Sequence, residues 1–457
     1  MPAWKTAMQR FYGGAWYPVC AVCIVLIGHA TGWDVPMLIL LLLSMIPALL
    51  VCRDIRFAAM PVLASIFTVS AGDYSPDNTG YEERFLTPAV LIPAVIVAIL
   101  FLAALVLFCV QNRKDAQLPP KNAMLWGAVV FCVGLLANGL FSRNYTPKNL
   151  LFAALIVVTY FGVYLLFACY LKKSPATPDY LMYCFLLAGA LICAELLWAY
   201  ATRVQFVDGE IVKGSVVLGW GVWTTVGGML AFLLPVSFYF AASHKHGWIA
   251  YLFGLFEFFC ILLSQSRGAL LFGAAALSLC LLYLMCKGEN RKKNRIYTLC
   301  LVGVGLIGVI LLRDKLLGLL NNFLEFGFAD NGRFEIWQIG WNHFLENPLF
   351  GSGFYDSYTT VEWERGFDPY LYHNTLIQLL GACGMVGFFA YAFHRVQTVR
   401  LVIKRPTPCK IFLGIALLTL LGYSLLDVLF FKLYPTFFYG LMLLCMQIDE
   451  TIKYKRV

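Results

Sequence analysis

The chain has 457 residues, of which 61% are apolar and 13% charged, and it carries a net charge of +9, with a mean hydropathy of +0.76. Soluble domains run nearer half apolar and a quarter charged, so a water-soluble globule is excluded: only a bilayer removes this much apolar surface from water along every helix. The positive balance has a topological origin, given below, and no basic stripe with interleaved aromatics marks a nucleic-acid surface, so no nucleic acid is expected as a partner.

Apolar runs long enough to cross about 30 Å of hydrocarbon fall near 16–33, 36–52, 57–72, 87–110, 124–141, 150–171, 180–201, 216–242, 248–264, 268–286, 297–313, 374–394, 409–426 and 433–448. They predict an all-α fold: a polytopic transmembrane helical bundle of about 12–14 spans with one long, partly helical external loop. The basic start (Lys5, Arg10) leads into the first run without a small-residue cleavage site, so that run is expected to stay as an anchor. With the N-terminus inside, the segments that become cytoplasmic hold about two thirds of the 34 Lys and Arg, as the positive-inside rule requires. The clusters Lys287 to Arg295 and Arg395 to Lys410 then fall inside, and the acidic stretch Asp73 to Glu83 falls outside. Both chain ends are placed in the cytoplasm. All fifteen cysteines lie in spans or cytoplasmic loops, which argues against a disulfide framework. None has metal-ligand spacing beside histidines, so no metal and no cofactor are expected.

Three regions follow: an N-terminal transmembrane bundle of about 11 spans over 1–313, an external catalytic loop over 314–373, and C-terminal spans with a short cytoplasmic tail over 374–457. A loop of this length in a compact protein is usually functional. Asp314 to Phe328 reads as a helix lying in the interface. An amphipathic helix then runs from an Asp330/Asn331 cap to Asn347-Pro348, with Phe334, Trp337, Trp341, Phe344 and Leu345 on one face and Glu335, Gln338, Asn342 and Glu346 on the other.

Three residues stand out as carriers of chemistry. Arg267, in Ser264-Gln-Ser-Arg-Gly268, is the sole charge between two spans that leave almost no loop. A charge so placed needs a compensating partner, an anion, or else snorkels to headgroups; both readings fit its position. Arg333 lies in the first turn of its helix, where a cation is disfavoured unless an anion shares the site with it and with the helix N-terminus; a solvated loop arginine is the plainer alternative. His373, in Tyr372-His-Asn-Thr375, stands where the loop re-enters the membrane and suits a general base, although interfacial histidines are often structural. Between them lie Pro348-Leu-Phe-Gly-Ser-Gly353, whose glycines permit close backbone approach, and Tyr355, Tyr358, Trp363, Tyr370 and Tyr372, rings that suit sugar faces or headgroups.

In these parts the chain resembles the O-antigen ligase and O-antigen polymerase (Wzy) superfamily of bacterial surface-polysaccharide enzymes. The resemblance rests on Ser266-Arg267-Gly268 opening a span, Gly332-Arg333 with Trp337 four residues on, Asn347-Pro348 followed by Gly351-x-Gly353, and His373-Asn374 before a helix containing Gly381, Gly384 and Gly387. It covers roughly residues 260–390. It implies a membrane-embedded, metal-independent glycosyltransferase in the bacterial cytoplasmic (inner) membrane, with its active site on the external face. The implied donor is an undecaprenyl-pyrophosphate-linked glycan, and the implied acceptor is lipid A core, for a ligase, or a second lipid-linked glycan, for a polymerase; membrane lipids surround both. By the same resemblance Arg267 and Arg333 bind pyrophosphate and His373 is catalytic, with Ser266, Gly353, Tyr372 and Asn374 in support. Asp356, Glu362, Glu364 and Asp368 are candidates to orient the base or bind sugar. A transporter or flippase, the alternative class, predicts ionisable residues within spans, for which the sequence offers Glu195 and Glu257.

Overall fold

The computed structural model describes residues 3–68, 88–117, 123–207, 210–287, 290–311, 313, 332–354 and 371–454. Each of the fourteen apolar runs overlaps a helix among the described residues. A short amphipathic helix, α1 (Ala3–Gly13), precedes α2 (Trp16–Thr31), α3 (Asp34–Cys52), α4 (Ile55–Thr68), α5 (Pro88–Gln111), α6 (Ala123–Phe141), α7 (Pro147–Tyr170) and α8 (Ala176–Thr202). Then come α9 (Trp223–Ser243), α10 (Gly247–Leu263), α11 (Arg267–Cys286) and α12 (Arg291–Leu311). The series ends with α13 (Arg333–Glu346), α14 (Thr375–Ile403), α15 (Pro408–Tyr423) and α16 (Leu433–Tyr454). Among the described residues eight of these helices are long and apolar enough to cross a membrane, or nine if α1 and α2, bent by 65° to each other, form one broken span; α4, α10 and α15 are shorter apolar helices. Strand is confined, among the described residues, to two antiparallel pairs between α8 and α9: Phe206–Val207 with Glu210–Ile211, and Val217–Leu218 with Gly221–Val222.

The core is one cluster running from Tyr12 to Ile448. At its centre is α9, buried along nearly its whole length between α10, α11 and α15. A helix apolar on every side has no water-facing stripe to offer, so it goes to the middle. Leu91, Ile92, Ile99, Leu102 and Val110 of α5 are exposed instead, the pattern of a helix that faces lipid.

One helix is broken on purpose of packing. Within α14, Gly384 takes φ 62°, ψ −165°, and the backbone groups freed there are met by the Pro348–Gly353 turn. Met385 N–H donates to Pro348 O at 2.8 Å, Val386 N–H to Leu349 O at 3.1 Å, Ser352 N–H to Gly381 O at 2.9 Å and Gly353 N–H to Ala382 O at 3.0 Å. Unmet amides inside a bilayer would cost several kcal/mol each. The approach is possible only for bare backbone: a Cβ on Gly384 would stand 2.5 Å from the Leu349 backbone, and one on Gly351 2.4 Å from that of Ala382. Buried Asn138 adds two more bonds, to Phe350 O and Ala382 O. Gly353, left-handed at φ 97°, lies against Asn149.

The amphipathic helix α13 differs from the sequence pattern in two respects. Its N-cap is Gly332, at φ 76°; Asp330 and Asn331 lie outside the described residues, as do the interfacial helix expected over 314–328, the aromatics Tyr355, Tyr358, Trp363 and Tyr370, and the acidic candidates Asp356, Glu362, Glu364 and Asp368. Its packed side is Ile336, Ile339 and Gly340, whereas Phe334, Trp341 and Leu345 are exposed. The reason is steric: with no side chain at Gly340, the helix comes so close to α14 that a Cβ there would be 2.5 Å from Ile377 and 2.9 Å from Tyr372.

Candidate active site

His373 is held in place by both of its neighbours. Tyr372 is buried, with its hydroxyl 2.5 Å from His343 Nδ1 and its N–H donating to Gln378 Oε1 at 2.8 Å. Asn374 caps α14, its Oδ1 accepting from the N–H groups of Leu376 and Ile377 at 2.9 and 3.2 Å, while its amide donates to Leu425 O at 3.0 Å. Between a pinned tyrosine and a helix cap, His373 takes φ 51°, a left-handed conformation that a non-glycine residue adopts only when its surroundings impose it.

The imidazole is directed at the turn between α15 and α16. His373 Nδ1 lies 3.2 Å from Asp427 Oδ1, with the histidine side chain 32% exposed and the carboxylate 5%. Asp427 also accepts the Val428 N–H at 2.8 Å. Burial works to raise this carboxyl, but the Lys432 ammonium, then the His373 ring and the Val428 N–H, hold it well below the usual carboxylate range. An ionised Asp427 accepts, so Nδ1 carries the imidazole proton and Nε2 is left with its lone pair free to act as a base. Thr375 N–H donates to Ser424 O at 2.8 Å, tying the start of α14 to the same turn.

Arg267 is the first residue of α11, behind Ser266, whose hydroxyl caps the helix by accepting the Ala269 N–H at 3.3 Å. The tight turn is seated by glycine on two sides. A Cβ on Gly227 of α9 would lie 2.4 Å from Ser264 Oγ, and one on Gly268 would lie 3.2 Å from both Tyr423 and Leu426. Tyr423 is the hub: its hydroxyl donates to Thr224 O at 2.6 Å, it is hydrogen-bonded to Ser266, and it lies within electrostatic reach of Arg333 and Asp427. Arg333 stands in the first turn of α13.

Four helices, α9, α11, α13 and α14, therefore begin at this one end of the bundle, each with its positive dipole end there. With them are Arg267, Arg333 and Lys432, the last donating to Thr225 Oγ1 at 2.5 Å. Cations and helix N-termini gathered in this way favour a negative charge. The sequence alone points to His373, Arg267, Arg333 and their supports as candidates and gives no reason to include Asp427, Tyr423, Lys432 or Thr225. The one signal was Asp427 itself, a lone acid in Leu425-Leu-Asp-Val-Leu429 between two apolar runs. Gly353 and Tyr372 shape the backbone and the return of the loop, through Asn149 and His343.

The two span-embedded acids are tied to structure. Glu195 accepts from Trp220 Nε1 at 2.7 Å, and Glu257 accepts from Ser237 Oγ.

Residues 250–392 match the family described as O-antigen ligase. No curated protein matches the chain. The matched stretch runs from α10 to the later turns of α14 and contains both arginines, the histidine and the inserted Pro348–Gly353 turn. Over residues 250–392, therefore, this multi-pass, all-helical membrane protein is similar to the O-antigen ligase family.

Proposed function

We propose that the chain is a metal-independent glycosyltransferase of the O-antigen ligase type, moving a glycan from undecaprenyl pyrophosphate to an acceptor hydroxyl, with lipid A core as the acceptor. The observation that carries this reading is the Asp427–His373 pair, 3.2 Å apart, at the end of the bundle where Arg267 and Arg333 also stand. His373 Nε2 takes the proton of the acceptor hydroxyl while its oxygen attacks the anomeric carbon. The bond from that carbon to the phosphate oxygen breaks in the same displacement, and undecaprenyl pyrophosphate leaves with the electron pair. Asp427 keeps the imidazole in the right tautomer and stabilises the imidazolium that forms. Arg267 and Arg333 take up the charge gathering on the leaving group, aided by the helix N-termini; cations so placed supply the stabilisation that a divalent ion gives elsewhere. A positioned base is worth about 10²–10⁴-fold in rate.

The reading places this end on the external face of the bacterial cytoplasmic membrane and both termini in the cytoplasm. In support, the turns at the opposite ends of the same helices are basic: Lys245 after α9, Lys287 after α11, and Lys404 and Arg405 after α14.

The test is glycan transfer in reconstituted membranes, with an undecaprenyl-pyrophosphate-linked oligosaccharide as donor and lipid A core present or absent. Wild type is compared with His373→Ala and Arg333→Ala. Transfer that needs the core and is lost in both variants supports the ligase. Chain growth without core makes the protein a polymerase of the same superfamily, and transfer indifferent to both residues removes the proposed site.

A further inference from the structure

The turn that carries Asp427 is gripped by α14 at two places, one on each side of the break at Gly384. On the side of His373, Thr375 N–H donates to Ser424 O at 2.8 Å and the Asn374 amide to Leu425 O at 3.0 Å. On the other side, Tyr391 meets Phe430 edge to face at 5.7 Å between ring centres, and the Arg395 guanidinium lies over the same Phe430 ring, 4.2 Å from its centre. The turn is knit together between the two grips. Phe430 N–H donates to Ser424 Oγ at 3.3 Å, Asp427 N–H to Tyr423 O at 3.0 Å and Phe431 N–H to Val428 O at 2.9 Å.

In the sequence Arg395 opens the basic run that ends at Lys410. The structure places it inside α14 and turns it into the bundle, with Nε and Nη2 buried. Among the described residues no carboxylate pairs with it. Its charge is met by three rings, Tyr391, Phe430 and Tyr439, whose centres lie 4.4, 4.2 and 4.8 Å from the guanidinium carbon. Its Nη1 also donates to Tyr439 Oη at 2.8 Å, and that hydroxyl is fixed in turn, 3.0 Å from Thr398 Oγ1 and 2.9 Å from His394 Nε2. A cation within a bundle is costly unless compensated, so Arg395 stays on its rings. The ring it shares with the turn stands three residues from Asp427.

We propose that Arg395 is a positioning residue for the base. Through Phe430 it seats the Asp427 turn on the limb of α14 beyond Gly384, while Asn374 and Thr375 seat the turn on the limb that begins beside His373; the bend in α14 then sets how closely Asp427 meets His373. At 3.2 Å that contact is already at the long end of N–H···O bonds, so a small shift of the turn breaks it. This assignment rests on the catalytic reading proposed above.

The test compares Arg395→Met, Arg395→Lys and Phe430→Leu with wild type in the transfer assay. It also reads the His373 ring directly, by NMR of the full-length protein carrying nitrogen-labelled histidine in lipid bilayers, with the His373 signals identified by their absence from His373→Ala. Wild type should show one tautomer, protonated at Nδ1. In Arg395→Met and Phe430→Leu the ring is expected to sample both tautomers, with kcat down about tenfold and the donor KM within about twofold of wild type. Arg395→Lys keeps a cation over the rings and should return kcat to within about threefold of wild type. Combining Arg395→Met with Phe430→Leu should cost no more than either alone, since both cut the same link. Phe430→Leu leaves the buried cation in place, so it carries the test if Arg395→Met does not fold. A single Nδ1–H tautomer in the variants overturns the proposal whatever the assay shows, as do losses that multiply in the double variant or an Arg395→Lys as poor as Arg395→Met. If His373→Ala leaves transfer intact, the catalytic reading falls, and the nitrogen spectra alone then decide whether Arg395 seats Asp427.

Discussion

At the scale of residues, the site depends on how one acid is shared. Asp427 serves His373 through Nδ1 and is kept ionised chiefly by Lys432 against its own burial. Asp427→Asn preserves the shape but not the charge, and favours the wrong imidazole tautomer. Its kcat for transfer should drop by about 10²-fold or more, with the donor KM changed far less. Lys432 gives a pH prediction. A carboxyl whose folded value lies below its unfolded value, about 3.9, adds stability that is present above that unfolded value and is lost as pH falls through the folded one. Lys432→Met removes the first of the lowering influences, so the folded value rises towards the unfolded one and the variant lacks part of the stability that wild type has near neutral pH. Melting temperatures measured from about pH 3 to pH 7 should show the variant lowest relative to wild type at about pH 7 and the gap narrowing on acidification; parallel curves would mean that Lys432 does not govern the carboxyl. His373, Arg267 and Arg333 were legible as residues because charge or imidazole at a membrane boundary needs an explanation. Asp427 was not, since nothing in the order of residues tells that position 427 returns to position 373.

At the scale of elements, the Gly351-x-Gly353 signal proves to be half of a two-part device whose other half is Gly384. In the sequence these glycines permit close approach, and the structure shows what approaches: the backbone of a broken helix. Gly384→Ala would put a methyl 2.5 Å from the Leu349 backbone at φ 62°. It is expected to destabilise the protein by about 2–5 kcal/mol, the sum of a left-handed penalty and overpacking, read as a large fall in melting temperature. Gly303→Ala in α12, where nothing lies within 4 Å of the added Cβ, should be neutral or slightly stabilising. Equal melting of the two variants would refute the inserted turn as a structural support. For α13 the 3.6-residue period was visible, but the packed side was set by the gap at Gly340, because how closely two helices approach depends on both of them.

At the scale of the whole molecule, the bundle carries cations at two ends, and the proposed function gives each a reason: the basic turns at one end face the cytoplasm, and the cations at the other meet the donor's pyrophosphate. In intact cells a membrane-impermeant thiol reagent should label a cysteine placed at Gln265 and leave one at Lys245 unlabelled; the reverse pattern would invert the proposed orientation. Transfer should also persist in excess EDTA, since arginines provide the electrostatic stabilisation; a loss restored by a divalent ion would disprove metal independence.

Composition and the length of apolar runs were enough to determine by themselves that this is an all-helical, multi-pass membrane protein, because in hydrocarbon the backbone has to satisfy its own hydrogen bonds and each span needs its own apolar stretch. The positions of the helices and three of the candidate site residues follow from the same local rules. Only the tertiary structure decided that α9 lies at the centre, that the Pro348–Gly353 turn fills the break in α14, and that Asp427, Tyr423 and Lys432 lie near the candidate arginines and histidine. Those are contacts between residues tens to hundreds of positions apart, and a local pattern of hydrophobicity carries no record of which helix ends meet.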